Sequence, residues 1–261
     1  MPDTSAPDTS RGRVALVTGA TGPIGRAVAA ELASSGFRVV ITGRNAEALA
    51  ELSGELARTR GEAPMSVAAD LTDEEAITRL VETVTRELGG VDVLVNSAGG
   101  WVGARPGPFL EKSRADLRAQ VENNLLLPVL LSHAVLGGMV QRGYGRIVAI
   151  SSVAGLIGLA GHGAYSAAKA GLSGFVRQLA YEFGRSGVTA NCLAPGPVAT
   201  PNVRRLVEAG DPGLLAMLEQ TPSGRLTTPE DIARAVAFLG SEAAGHINGQ
   251  TIAVDGGMTA A

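Results

Sequence analysis

Tyr165 and Lys169 stand four residues apart in the run Tyr-Ser-Ala-Ala-Lys. On a helix that spacing puts both side chains on one face, one turn apart. A free phenol titrates near pH 10, too high for easy proton exchange at neutral pH, and a neighbouring ammonium lowers that value by favouring the phenolate. The pair is then a general acid/base made from two groups that are poor ones alone. Taken in isolation, Tyr-x-x-x-Lys is common and equally fits a solvated surface pair. Ser152 adds to the chemistry: it follows the apolar run RIVAIS, whose end aims a hydroxyl at the same pocket mouth. Its flanks, AISSVAG, lack the Gly-x-Ser-x-Gly turn of a hydrolase nucleophile. A hydrogen bond to a substrate oxygen is the role that remains.

Two kinds of segment must position these groups. Short apolar runs at 14–18, 38–42, 66–69, 91–96, 146–151, 189–193 and 251–254 read as buried parallel strands. Longer runs of helical period lie between them, at about 24–35, 46–60, 74–88, 114–142, 164–186 and 229–240. Strands alternating with helices imply right-handed crossovers, hence an α/β Rossmann fold: a doubly wound, mostly parallel seven-stranded sheet with helices on both faces. With no break in composition, residues 13–261 read as a single catalytic domain and 1–12 as a disordered leader. Two stretches depart from the rhythm, the Gly/Pro-rich 99–108 and the apolar-dotted 201–224. Both follow strands, where ligands of such sheets bind, so 201–224 is read as a substrate lid.

The first strand leads into TGATGPIG, with Gly19, Gly22 and Gly25 three apart. Glycines there permit a tight turn, close approach of backbone N–H groups to a pyrophosphate, and packing of the helix on the strand. An ordinary strand-to-helix turn reads the same way, but a strand before and a helix after favour a dinucleotide. The second strand ends in Gly43 and Arg44. An NAD site usually places a carboxylate there; Gly43 offers none, while Arg44 offers a fork suited to a 2′-phosphate. NADP(H) is therefore favoured over NAD(H). Asp70 after the third strand fits an adenine contact or a helix cap.

The chain has 261 residues, 45% hydrophobic and 18% charged, with 35 glycines and a net charge of −3. That balance offers nothing to nucleic acid or an anionic membrane. No stretch reads as approaching the apolar length of a membrane span. One cysteine, Cys192, forms no internal disulfide and suits a reducing, cytoplasmic setting. His133, His162 and His246 share no ligand spacing with Cys192, so no metal site is expected.

Taken together and in this order, TGATGPIG, Asp70, Asn96-Ser97-Ala98-Gly99, Asn124, Ser152, Tyr165 to Lys169, Asn191, Pro195 to Thr200 and Val254-Asp255-Gly256-Gly257 resemble the short-chain dehydrogenase/reductase family from about residue 13 to 257. The tail GRLTTPEDIA to INGQTIAVDGG most resembles its 3-oxoacyl-[acyl-carrier-protein] reductase branch. The resemblance implies that Tyr165 is the acid in reduction and base in oxidation. Lys169 would lower its pKa and hold the nicotinamide ribose, Ser152 would position the carbonyl oxygen, and Asn124 would anchor a water linking Lys169 to solvent. It further implies cofactor contacts from Gly19, Thr21, Gly22, Ile24, Gly25, Arg44, Asp70, Leu71, Asn96, Ala98, Gly99, Pro195, Gly196, Val198 and Thr200, with Val198 and Thr200 orienting the carboxamide. A homo-oligomer, tetramer or dimer, is implied with them, as is a small carbonyl or alcohol substrate. Pro23 stands where the family has glycine, and Ser97 where a second Asn is commoner. Pro128, inside a predicted long helix, removes the hydrogen bond to the Asn124 carbonyl and should kink the helix there, freeing that carbonyl for the water.

Trp101 and His162 each fit a pocket wall as well as an ordinary loop position. Cys192 reads as a small hydrophobe. Arg204 and Arg205 fit either an acidic partner or a solvated helix face. An NAD-dependent alcohol or sugar dehydrogenase, a redox-sensing Rossmann protein without turnover, and an isomerase or dehydratase on the same fold are the competing readings.

Overall fold

Aliphatic runs of four to eight residues form the strands, and the computed structural model describes residues 12–61, 63–101 and 106–260. Residues 1–11 of the expected leader and 102–105 of the Gly/Pro-rich stretch lie outside the described residues. In chain order come β1 (Val14–Thr18), α1 (Pro23–Ser34), β2 (Arg38–Gly43), α2 (Ala46–Arg60), β3 (Met65–Ala68), α3 (Glu74–Leu88) and β4 (Val93–Asn96). Then follow α4 (Arg114–Val121), α5 (Leu127–Arg142), β5 (Gly145–Ile150), α6 (Gly163–Phe183) and β6 (Val188–Pro195). The chain closes with α7 (Pro201–Glu208), α8 (Pro212–Glu219), α9 (Pro229–Gly240) and β7 (Thr251–Val254).

The seven strands make one parallel sheet in the order β3-β2-β1-β4-β5-β6-β7. Because side chains alternate across a strand, β1 feeds both cores. Ala15 and Val17 join the apolar cluster under α1, α2 and α9, while Val14 and Leu16 join the one under α3, α5 and α6. Strand order reverses between β1 and β4, and the crevice outside their carboxyl ends is where such sheets take ligands.

Helix ends follow from local chemistry. Asn45 and Asp73 accept backbone N–H bonds at the starts of α2 and α3, and Gly61 and Gly89 end them in the left-handed conformation. Asp70 is therefore not the cap of α3; Asp73 is. Strand and helix limits otherwise depart from the sequence reading by one to three residues, as fraying ends do.

Two regions differ more. The lid stretch folds as α7 and α8, whose residues are nowhere fully buried. The predicted long helix is interrupted by a π-helical turn, Glu122–Leu126, in which the Leu127 N–H reaches back five residues to the Glu122 carbonyl. Pro128, with no N–H, follows at once. The predicted irregularity thus takes the form of a widened turn. The run Arg114–Arg142 is also long and apolar enough to cross a membrane by length and composition, which amends the sequence reading. In this fold Leu127, Leu131, Val135 and Met139 of that run pack into the core.

Candidate active site

A cavity of about 390 Å³ opens along the carboxyl ends of β1 to β4. Its floor is the turn after β1. Gly19 has φ +62°, and a Cβ there would lie 2.8 Å from the Ala98 Cα. A side chain at Gly25 would collide with the Gly19 carbonyl. Glycine is thus required at both positions by close approach, and at Gly19 by the left-handed backbone as well. Gly22 has ordinary backbone (φ −76°) and precedes Pro23, the first residue of α1. Pro23 is accommodated because a first-turn N–H has no helical partner to lose. The buried Thr18 hydroxyl accepts the N–H groups of Ser97 (3.1 Å) and Ala98 (3.0 Å), tying the loop after β4 to this turn. Nothing in the sequence reading singled Thr18 out.

Of the predicted cofactor residues, Gly19, Thr21, Gly22, Ile24 and Gly25 line the cavity, as do Arg44, Asp70, Leu71, Ala98, Gly99 and Thr200. Ser97, within the stretch Asn96 to Gly99 expected to pack along the cofactor, lines it too, as does Asn123, which was not predicted as a contact. Asp70 is exposed; two hydrogen bonds from Thr72, then the nearby Arg44 guanidinium, lower its carboxyl below the usual range, partly offset by desolvation. Asn96 does not line the cavity. Its side chain is buried and donates to Ser132 Oγ at 3.2 Å, turned toward α5. Pro195, Gly196 and Val198 also lie off the lining, on the segment from β6 that delivers Thr200. The glycine floor, the exposed Arg44 and the aligned strand ends suit an extended dinucleotide, with Gly43 presenting no side chain to the space beside Thr21.

Beyond Gly99 the chain passes to the proton-handling residues. The Asn124 side chain is buried and fully used. Its Oδ1 accepts the Gly100 N–H (2.8 Å), and its Nδ2 donates to the carbonyls of Gly100 (2.9 Å) and Gln120 (3.0 Å). It clamps the loop after β4 onto the π turn. One residue further, the Trp101 indole stacks on the Tyr165 ring, centroids 4.8 Å apart and planes 21° apart.

Tyr165 and Lys169 lie on α6, Lys169 within its buried stripe of Ala168, Leu172, Ser173 and Val176. Ser152, extended at the end of β5, shares a hydrogen bond with the Tyr165 phenol and accepts the Ala154 N–H at 3.1 Å. Lys169 Nζ donates to the Ile150 carbonyl at 2.7 Å and stands 5.7 Å from the Tyr165 ring centroid. Burial pushes the ammonium down to about 8. The same desolvation raises the Tyr165 phenol, opposed only by the Ser152 hydrogen bond. The sequence argument had Lys169 lowering Tyr165. In the protein alone burial outweighs any such effect.

His162 packs edge-on against Trp101, centroids 5.0 Å apart, and its Nδ1 donates to the Ala160 carbonyl at 2.8 Å. Cys192 is fully buried, its thiol pushed up to about 12, and so behaves as a hydrophobe. Arg204 Nε donates to the Ala199 carbonyl, tying α7 to the segment beneath it, while Arg205 bonds Asn202 on its own helix.

A family model described as enoyl-(acyl carrier protein) reductase matches residues 19–259. An oxidoreductase of Burkholderia thailandensis, described as of the short chain dehydrogenase/reductase family, is 38% identical, with TM-score 0.84 over 95% of this chain and 93% of its own. The chain belongs to the short-chain dehydrogenase/reductase family. It is an NAD(P)-dependent oxidoreductase acting on carbonyl and hydroxyl groups. The 3-oxoacyl-[acyl-carrier-protein] reductase FabG of Vibrio cholerae is 40% identical over 247 residues, 95% of this chain and 97% of that protein. A putative NAD(P)-dependent gluconate 5-dehydrogenase from Beutenbergia cavernae, solved with NADP at low occupancy, is 37% identical, with TM-score 0.88 over 96% of this chain and 98% of its own.

Proposed function

We propose that the protein is an NADP(H)-dependent ketoreductase resembling the 3-oxoacyl reductases, with a small carbonyl compound and its secondary alcohol as the substrate pair. The observation that carries this is the meeting of Ser152, Tyr165 and Lys169 at the carboxyl edge of the sheet, joined through Gly100 and Trp101 to a glycine-floored cleft. The nicotinamide, when bound, supplies or accepts the hydride. Ser152 and Tyr165 hold the substrate oxygen from two sides, and the Tyr165 O–H gives it the proton in reduction or recovers it in oxidation. Burial keeps the phenol protonated at neutral pH, and that is the form a reduction consumes. Lys169 replenishes the proton and orients the ribose; Asn124 and its π turn hold the loop between cleft and phenol in place.

Support for NADP(H) comes from Arg44 at the cleft, with its charge close enough to lower Asp70, and from the missing side chain at Gly43. The cofactor is held by Gly19, Thr21, Gly22, Ile24 and Gly25 at the pyrophosphate end. Asp70 and Leu71 hold the adenine, Ala98 and Gly99 the ribose, and Thr200 the carboxamide. In this reading residues 13–261 act as one catalytic domain, α7 and α8 form the lid, and the assembly is a cytoplasmic tetramer. A second reading is an NAD-dependent sugar or alcohol dehydrogenase; the likeness to the putative gluconate 5-dehydrogenase supports its sugar substrate but not NAD, since that structure holds NADP. A screen of 3-oxoacyl thioesters, cyclic ketones and sugar acids, following NADPH and NADH absorbance in parallel, decides. NADPH-dependent ketone reduction is expected. Sugar-acid oxidation with NAD alone would establish the second reading, and cofactor binding without turnover would leave a sensor.

A further inference from the structure

We propose that Ser151 is a positioning residue for the reaction: its hydroxyl holds the main chain of Lys169 against the end of β5, and so fixes the separation across which Ser152 on the strand meets Tyr165 on the helix. The inference rests on the proton-transfer reading of Tyr165 above and names what keeps that residue in register. Ser151 is buried, 3% exposed, and does not line the cleft. Its N–H donates to the Leu193 carbonyl of β6 at 2.6 Å, so the sheet holds its backbone. Its Oγ donates to the Lys169 carbonyl at 2.9 Å. Lys169 answers in the other direction, its Nζ donating to the Ile150 carbonyl at 2.7 Å. Two consecutive residues at the strand end thus grip one helix residue, one by its main chain and the other by its side chain. The turn after Ser152 closes on the same point. A Cβ at Gly155 would lie 2.8 Å from the Ala170 nitrogen and from the Lys169 carbonyl carbon, so this turn rests directly on the helix backbone.

The Lys169 carbonyl does not need the Ser151 hydroxyl as a partner. It lies well inside α6, where a carbonyl already accepts the N–H four residues on. What the hydroxyl adds is a sideways tie between helix and strand end. Tyr165 sits one helical turn before that tie, and Ser152 one residue after it. A shift of α6 about the end of β5 therefore falls first on the hydrogen bond between Ser152 and the Tyr165 phenol. No residue of α6 lines the cleft. Replacing Ser151 with alanine removes the tie alone, because its N–H still pairs with β6.

The test is a double-mutant cycle of Ser151→Ala and Ser152→Ala, run on a ketone that wild type reduces with NADPH. Ser151→Ala should lower kcat about tenfold while Ser152 is present, as a misplacement outside the reacting groups does. In the Ser152→Ala background the same change should cost less than about twofold, because the contact it keeps in register is already gone. A merely structural loss, through less folded protein, would cost the same factor in both backgrounds. Equal factors, or a Ser151→Ala variant with wild-type kcat, would overturn the proposal. Ser151→Cys, which keeps a weaker donor, replaces Ser151→Ala under the same criteria if that variant does not fold. If wild type reduces no carbonyl compound, the proton-transfer reading has failed, and crystal structures of wild type and Ser151→Ala then judge the tie alone. A longer separation of the Ser152 and Tyr165 hydroxyls in the variant supports it; an unchanged hydrogen bond overturns it.

Discussion

Lys169 is a cation held in the core with no carboxylate beside it among the described residues, so replacing it with methionine should make the protein more stable while ending its activity. Its side chain is 4% exposed, and burial lowers its pKa from 10.5 to about 8. That gap corresponds to about 3 kcal/mol of cost at neutral pH, at about 1.4 kcal/mol for each tenfold change in proton affinity. Methionine fills a similar volume without the charge. It leaves the Ile150 carbonyl without its donor, a loss of about 1–2 kcal/mol. The net gain is about 1–2 kcal/mol, or a rise in Tm of about 2–8 °C for a chain of this length. The pH dependence fixes the cause. Between about pH 8 and 10.5 the unfolded chain holds a proton on Lys169 that the folded protein has released, so wild-type stability rises with pH through that window. The advantage of Lys169→Met should therefore shrink toward pH 10.5; Cys192, common to both proteins, drops out of the comparison to first order. Urea denaturation without cofactor, followed by far-ultraviolet circular dichroism at pH 7, 9 and 10.5, measures all of this. A variant less stable than wild type at pH 7, or a difference that does not change with pH, would refute the reasoning.

Three further outcomes are expected. Arg44→Ala should weaken NADPH binding about tenfold and NADH binding less than about twofold, since a charge-assisted contact at an exposed site contributes about 1.5 kcal/mol; cofactor fluorescence titration reads both, and equal losses would remove Arg44 from the phosphate. Tyr165→Phe should retain cofactor binding and lose at least about 100-fold in turnover, and retained turnover would assign the proton to another group. Asp231 is held well below the carboxylate range, chiefly by Arg225. Its stabilisation is present above its ordinary pKa and lost as pH falls, so Asp231→Asn should be less stable than wild type at pH 7, with the difference closing under acid denaturation.

The strands were legible because parallel strands buried on both faces read as unbroken aliphatic runs, and α6 because its apolar stripe recurs every three or four residues. Tyr165, Lys169 and Ser152 were legible as a group because helix pitch and strand ends fix their relative positions. What escaped depended on distant partners. Thr18 reads as one more strand residue until Ser97 and Ala98 fold over it. Asn96 shares a motif with Ala98 and Gly99, yet strand alternation turns its side chain the other way, toward Ser132. The π turn before Pro128 was foreseen as a break but not as a change of register, because a missing N–H does not say how the chain will compensate. The stack of Trp101 on Tyr165 joins residues 64 apart in sequence, and no local pattern encodes it.

The order β3-β2-β1-β4-β5-β6-β7 also bears on how the chain comes into being. No two strands are joined by a hairpin; every pairing waits for a crossover. As synthesis proceeds, residues 14–68 complete three strands, but one edge of β1 stays bare until Val93–Asn96 has emerged. That edge is an unbroken apolar strand, Val-Ala-Leu-Val-Thr, the kind that pairs with any neighbour it meets. The reversal of winding that creates the crevice thus also sets the interval in which the nascent protein is most open to aggregation, and chain truncations ending between residues 68 and 93 should be the least soluble of a nested series.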